Sequence, residues 1–278
     1  MTFRSNSSFR VFAVKKVKSL LIPYLAFSAI LLLYQFIKAI FFAEYHFNFL
    51  SGVISVIIPI SGRTTTTVYG LWFFPCLFLT ELLVNVLYAW YKKSALKTFV
   101  GFSLICVLCI GSYHIWRVAS ILSVLPIAVF FIGFGILLQS KTTAIEKYKV
   151  GVCFASVIVF IAAVIGNYSY YAHTVDLSSM HLGNWGLYLL SCVSGTLAII
   201  TLSMMLHRLK LLQKLGMDSM YYYGLHYEFL GLIEKIVPVG GGIHTLLTFL
   251  VLTPVVVLYK KVWNWVMKRN DQCDRTGV

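Results

Sequence analysis

The residues Gly216 to Glu228 read GMDSMYYYGLHYE. A turn signal, Gly-Met-Asp-Ser, opens an apolar, aromatic run that carries His226. Ser219, Tyr222 and Tyr223 precede the histidine at i−7, i−4 and i−3, spacings that place all four on one helix face. Hydroxyls leading to an imidazole can move a proton or orient a substrate. The same imidazole can instead be structural, bonded to a neighbouring helix, and the residues leave both readings open. Glu228 falls on nearly the opposite face, so it cannot share a small site with His226 on a regular helix. Glu81 is the other group to explain, a carboxylate midway along an apolar run with no charged neighbour in sequence. Lys38, Arg117 and His226 are its candidate partners. An ionisable group at membrane depth is costly and marks either a site or a pairing. His226 and Glu81 are therefore the catalytic candidates.

The substrate-binding candidates are Arg117, Trp72, Tyr222 and Tyr223. Arg117 stands with His114 and Trp116, a cluster that suits a sugar or phosphate but suits an interfacial anchor at least as well. His173, Asp176 and His181 share one loop without a regular ligand spacing, so a solvated loop is expected and no metal. The six cysteines include a C-x-x-C at Cys106 and Cys109, inside an apolar helix and without a second ligand pair. Packing explains it better than redox or metal chemistry. Neither a nucleophile elbow, a P-loop nor a dinucleotide-binding glycine motif is present.

The elements that must position these groups lie in lipid. Hydrophobic residues make up 59% of the 278 and charged residues 12%, where a water-soluble surface needs about a quarter charged. Mean hydropathy is +0.85. The expected fold is all-α, a polytopic transmembrane helical bundle of about eight spans, near 20–43, 71–91, 98–113, 118–138, 150–166, 186–206, 219–237 and 244–259. Residues 49–60 are too short to cross and either lie at the interface or re-enter. Residues 1–19 form a basic lead-in, without a signal-peptide pattern, and 260–278 a basic tail, the whole of 1–278 being one integral-membrane domain. With the N-terminus inside, every Lys and Arg falls in an inner segment except Arg63 and Arg117, in outer loops, and Lys38 and Lys235, near outer span ends. That asymmetry places both termini in the cytoplasm. The net charge of +14 is thus a matter of topology and anionic lipid rather than nucleic acid.

Several segments in order resemble one family. They are KKVKSLLIPYLAF (15–27), GLWFFPCLFLTELL (70–83), LPIAVFFIGFGILL (125–138), DLSSMHLGNWGLYLLSCVSG (176–195) and LGMDSMYYYGLHYEF (215–229). Together they resemble the acyltransferase 3 family, in its fucose 4-O-acetylase-like branch. The resemblance implies a membrane O-acyltransferase of the bacterial inner membrane. It would move an acyl group, commonly acetyl, from acyl-CoA to a sugar hydroxyl of an envelope, capsular or O-antigen glycan, with no bound cofactor. Lys15 and Lys18 match the basic pair that would meet the CoA phosphates, with lysine in place of arginine, which removes bidentate binding. His226 and Tyr223 match the late-helix motif. The family's early Arg/Lys-x10-His motif is not found, so a second chain supplying further spans is an expected partner, and an inactive truncated acyltransferase is an alternative. A different class of alternative is a non-catalytic transporter or export component for glycan intermediates, in which Glu81, His226 and Glu228 form a proton path.

Overall fold

The computed structural model describes residues 9–41, 47–58, 70–91, 94–116, 121–173, 175–177, 180–206, 209–236 and 242–276. It is helical throughout. In chain order it runs α1 (Phe9–Lys16), a π-helical turn (Val17–Leu21), α2 (Ile22–Phe41), α3 (Phe49–Ile57), α4 (Phe73–Trp90), α5 (Ala95–Trp116) and α6 (Ile121–Ser140). There follow α7 (Thr142–Lys147), α8 (Lys149–Tyr171), α9 (Trp185–Met205), α10 (Lys210–Ile236) and α11 (Gly242–Thr276). Among the described residues, isolated β pairing is confined to a bridge between Asp176 and His181. The chain divides into two compact units, Met1–His207 and Arg208–Val278.

Six helical segments are long and apolar enough to cross a bilayer: Phe9–Phe41, Phe73–Trp90, Ile121–Ser140, Lys149–Tyr171, Trp185–Met205 and Ile243–Val262. The chain is a multi-pass membrane protein. Its charge pattern suggested eight spans, and the two others fall in α5 and α10. α5 runs 22 residues, and the expected span 98–113 lies within it. The sequence of α10 carries the charged residues Lys210, Lys214, Asp218, Glu228, Glu234 and Lys235. The expected interfacial segment is α3, capped by the Asn48 side chain, which accepts from the Ser51 N–H at 3.1 Å.

In the first unit, α4 lies against α6, against α1 and against the π-helical turn, while α5 packs on α6 and α8 on α9. One buried cluster joins Cys76 and Cys106 to Ile121, Val124, Ile127 and Phe130 of α6 and to Tyr188 of α9. Of the C-x-x-C pair, Cys106 is buried in this cluster. Close approach fixes small residues at the helix contacts: a Cβ on Gly195 of α9 would lie 3.1 Å from the Phe160 ring of α8.

The segment after α8 was expected to be a solvated loop. Instead it folds back onto the core, with Met180 and Leu182 buried in the same cluster. Asn167, near the end of α8 and itself buried, holds it there. Its Nδ2 donates to the Leu182 carbonyl at 3.0 Å, and its Oδ1 accepts from the Asn184 N–H at 2.8 Å. Asn184 in turn caps α9 by accepting from the Leu187 N–H at 3.1 Å. Between them Gly183 has φ +69°, and an added Cβ would meet Asn167 Oδ1 at 2.6 Å, so only glycine fits. Asn167→Ala strands two backbone groups and should lower stability by about 1–3 kcal/mol. Gly183→Ala should be destabilising as well. Thermal unfolding of the purified chain in detergent reads both, and unchanged midpoints in both variants would rule out the staple.

Candidate functional site

The π-helical turn explains how the first unit builds its polar centre. Pro23 has no N–H for the Ser19 carbonyl, and its ring would press on that carbonyl in a regular helix. The preceding residues widen into a π turn, with the Ile22 N–H bonded to the Val17 carbonyl. This single wide turn re-phases α1 relative to α2. The buried side of α2 then carries Pro23, Tyr24, Phe27, Ser28 and Leu31. Phe27 packs on Phe74 of α4, ring centroids 5.9 Å apart, and the Tyr24 hydroxyl donates to the Val56 carbonyl of α3 at 2.8 Å.

With the helices held so, Lys16 at the end of α1 turns towards α4. Its Nζ lies 2.5 Å from Glu81 Oε2 and 5.5 Å from the Phe12 ring centroid. The side chain of Glu81 is 0% exposed and that of Lys16 17%. Beyond this ion pair, neither Glu81 oxygen receives a hydrogen bond from a described residue. The cation expected at Glu81 was Lys38, Arg117 or His226; the one present is Lys16. Lys38 instead lies over the Tyr34 ring, 6.0 Å from its centroid. Lys16 was legible only as one of a basic run. The signal that would have found it is spacing, since Lys16 extends the stripe Leu20, Tyr24, Phe27, Leu31 at helical intervals. Lys15 and Lys18, flanking it, are exposed. Trp72, at the N-cap of α4, stands edge-on to Phe73 and packs against the buried cluster. Arg117 lies outside the described residues.

The second unit places the opening motif. The expected turn at 216–219 lies inside α10, which begins at Lys210. The reason is Asp218, which is buried and ion-paired to Lys260 of α11. The pairing continues along the two antiparallel helices. Tyr221 meets Tyr259 with ring centroids 5.6 Å apart. Tyr222 stacks on Phe249 at 5.0 Å and donates to Thr253 Oγ1 at 3.2 Å. Tyr222 thus serves the helix contact. His226 Nδ1 lies 2.7 Å from the Tyr223 carbonyl oxygen. A carbonyl only accepts, so in this bond Nδ1 is the donor. The Tyr223 ring centroid is 5.5 Å from that of His226. Ser219 is exposed, Tyr223 and His226 half-buried, so the polar strip runs from the surface inward along α10. Asp218 and Lys260 were not singled out by sequence, because their partnership spans two helices.

His226 and Glu81 belong to separate units. Among the described residues no group of His, Cys, Asp and Glu has the arrangement of a metal site. A family model described as an acyltransferase domain matches residues 1–259. No curated protein and no solved structure matches the chain.

The ion pair predicts an asymmetric response. Lys16→Met leaves a carboxylate buried without a cation and should cost about 3–5 kcal/mol. Glu81→Gln should cost less, because Lys16 can swing its head outward. The double variant Lys16→Met/Glu81→Gln should recover most of the loss. A double-mutant cycle on unfolding midpoints checks this, and simple additivity would exclude the coupling.

Proposed function

The chain belongs to the acyltransferase 3 family, and on that premise we propose that it is an O-acyltransferase of the bacterial inner membrane. Its donor is acyl-CoA, acetyl-CoA first among candidates, and its acceptor a hydroxyl of an envelope glycan. The family match over residues 1–259 is the observation that carries this reading. The residues add a chemical account. The ring of His226 is oriented by the contact of Nδ1 with the Tyr223 carbonyl. In the proposed step Nε2 takes the proton of the sugar hydroxyl as its oxygen attacks the thioester carbonyl. A carbon–oxygen bond forms, the carbon–sulfur bond breaks, and the proton passes to the departing CoA thiolate. Lys15 and Lys18, exposed on either side of Lys16, would meet donor phosphates as point charges in this scheme. Glu81 acts as a positioning residue in this scheme. It holds Lys16, and with it the helix from which Lys15 projects.

Two measurements test the proposal. Glycan O-acetyl content should fall in cells lacking the chain, be restored by the wild type, and not be restored by His226→Ala. Equal O-acetyl content in all three would sink the acyltransferase reading, and a defect in glycan export with normal acetylation would favour transport instead. With purified full-length protein and labelled acetyl-CoA, His226→Ala should lower kcat by about 10²–10⁴-fold, the range of a lost general base. Lys15→Ala/Lys18→Ala should instead raise KM for the donor with little change in kcat.

A further inference from the structure

We propose that a cavity between α6, α7 and α9 binds one anionic phospholipid, acyl chains inside and phosphate at a lysine rim. The cavity measures about 540 Å³, within the size range of small-ligand sites. Phe131, Ile136 and Ile200 are among its apolar walls, with Gln139 and Thr142 at the α6–α7 junction. The Thr142 hydroxyl is turned back onto the Gln139 carbonyl at 2.9 Å, which leaves the interior without a strong polar donor from that side chain. An interior of this kind receives hydrocarbon rather than a soluble anion.

The position of the cavity selects the head group. It is lined by the C-terminal half of α6, by α7 and by the C-terminal half of α9. Both α6 and α9 are candidate spans, and α8 begins another just after α7. The short helix α7 therefore lies where crossings end, at the level of lipid head groups. Lys141 stands between α6 and α7, Lys147 ends α7, and Lys149 begins α8. Lys141, next to the lining residue Thr142, is exposed. Lys147, also exposed, lies over the Tyr148 ring at 5.2 Å and with Glu146 and Lys149 lines an adjoining depression rather than the cavity itself. None of the three lysines is ion-paired among the described residues. Lysines at the membrane surface attract anionic lipid by about 1 kcal/mol each. A neutral lipid would use the apolar walls and not the lysines. A long-chain acyl-CoA shares the chemistry of hydrocarbon plus phosphate, but phospholipid already surrounds a groove between crossing helices.

Gly135 provides the means of testing it. It lines the cavity, and a Cβ built there meets nothing within 4 Å. A larger side chain at 135 fills the space without displacing a neighbour. The experiment is native mass spectrometry of the full chain, released from nanodiscs of equal phosphatidylglycerol and phosphatidylcholine. The wild type should retain one phosphatidylglycerol in preference to phosphatidylcholine. Gly135→Phe should reduce that retention at least tenfold, with Gly135→Leu as the smaller filler should the phenylalanine variant unfold. Lys141→Gln/Lys147→Gln/Lys149→Gln should keep a lipid but lose the preference for the anionic head. Equal retention of both lipids by the wild type would overturn the proposal, as would undiminished phosphatidylglycerol in the filled variants. Displacement of phosphatidylglycerol by palmitoyl-CoA at lower concentration would overturn it too, and would give the cavity to an acyl-CoA.

Discussion

A carboxylate that has lost all contact with water must be matched by a cation, or the helix that carries it will not stay buried. Glu81 is in that position, and Lys16 meets it. The desolvation of two charges costs several kcal/mol per ion, and their attraction offsets this only when the geometry is held. The neighbouring elements hold it. Pro23 forces the wide turn that re-phases α1, Phe27 rests on Phe74, and α6 backs α4 from another side. A basic lead-in that could have lain loosely on a membrane surface is thereby continued into α2 and tied to the middle of α4. Lys15 and Lys18 stay outside because only one lysine of the run can occupy the inward position.

The second unit uses the same device at another place. Asp218 and Lys260 join α10 to α11, and the aromatic contacts of Tyr221 and Tyr222 continue the seam. The consequence reaches the histidine. With Asp218 held inside a helix, residues 216–219 do not form a turn, and the strip Ser219, Tyr223, His226 begins inside α10, past its start at Lys210. The backbone bond from Nδ1 to the Tyr223 carbonyl then fixes the orientation of the His226 ring. A polar group inside an apolar helix pair has its chemistry set by the few partners within reach.

The loop between α8 and α9 shows how a polar segment can be structural. Its His173, Asp176 and His181 suggested a solvated loop. Met180 and Leu182 are the residues that matter to the fold, and Asn167 binds the backbone on both sides of Gly183. One amide satisfies a donor and an acceptor that would otherwise be stranded against apolar helices. His181 remains exposed on the outer side of the same segment.

The amino-acid sequence by itself determined that the chain is helical and lipid-embedded, because apolar runs of crossing length leave the backbone no other way to satisfy its hydrogen bonds. It also located Glu81 and His226, because ionisable groups within such runs are rare enough to be conspicuous. The family resemblance was readable from the order of short motifs for the same reason, that each sits at a span start or a helix break. Only the tertiary structure decided the partners. Lys16 for Glu81, Lys260 for Asp218 and Leu182 for Asn167 are separated in sequence by tens of residues or by a folded-back loop, and no local pattern encodes which cation of several reaches a given carboxylate. Periodicity specifies which face of a helix is buried. The contact between two faces depends on which neighbours the turns and the packing bring together, as the π turn before Pro23 and the pairing of Lys16 with Glu81 show.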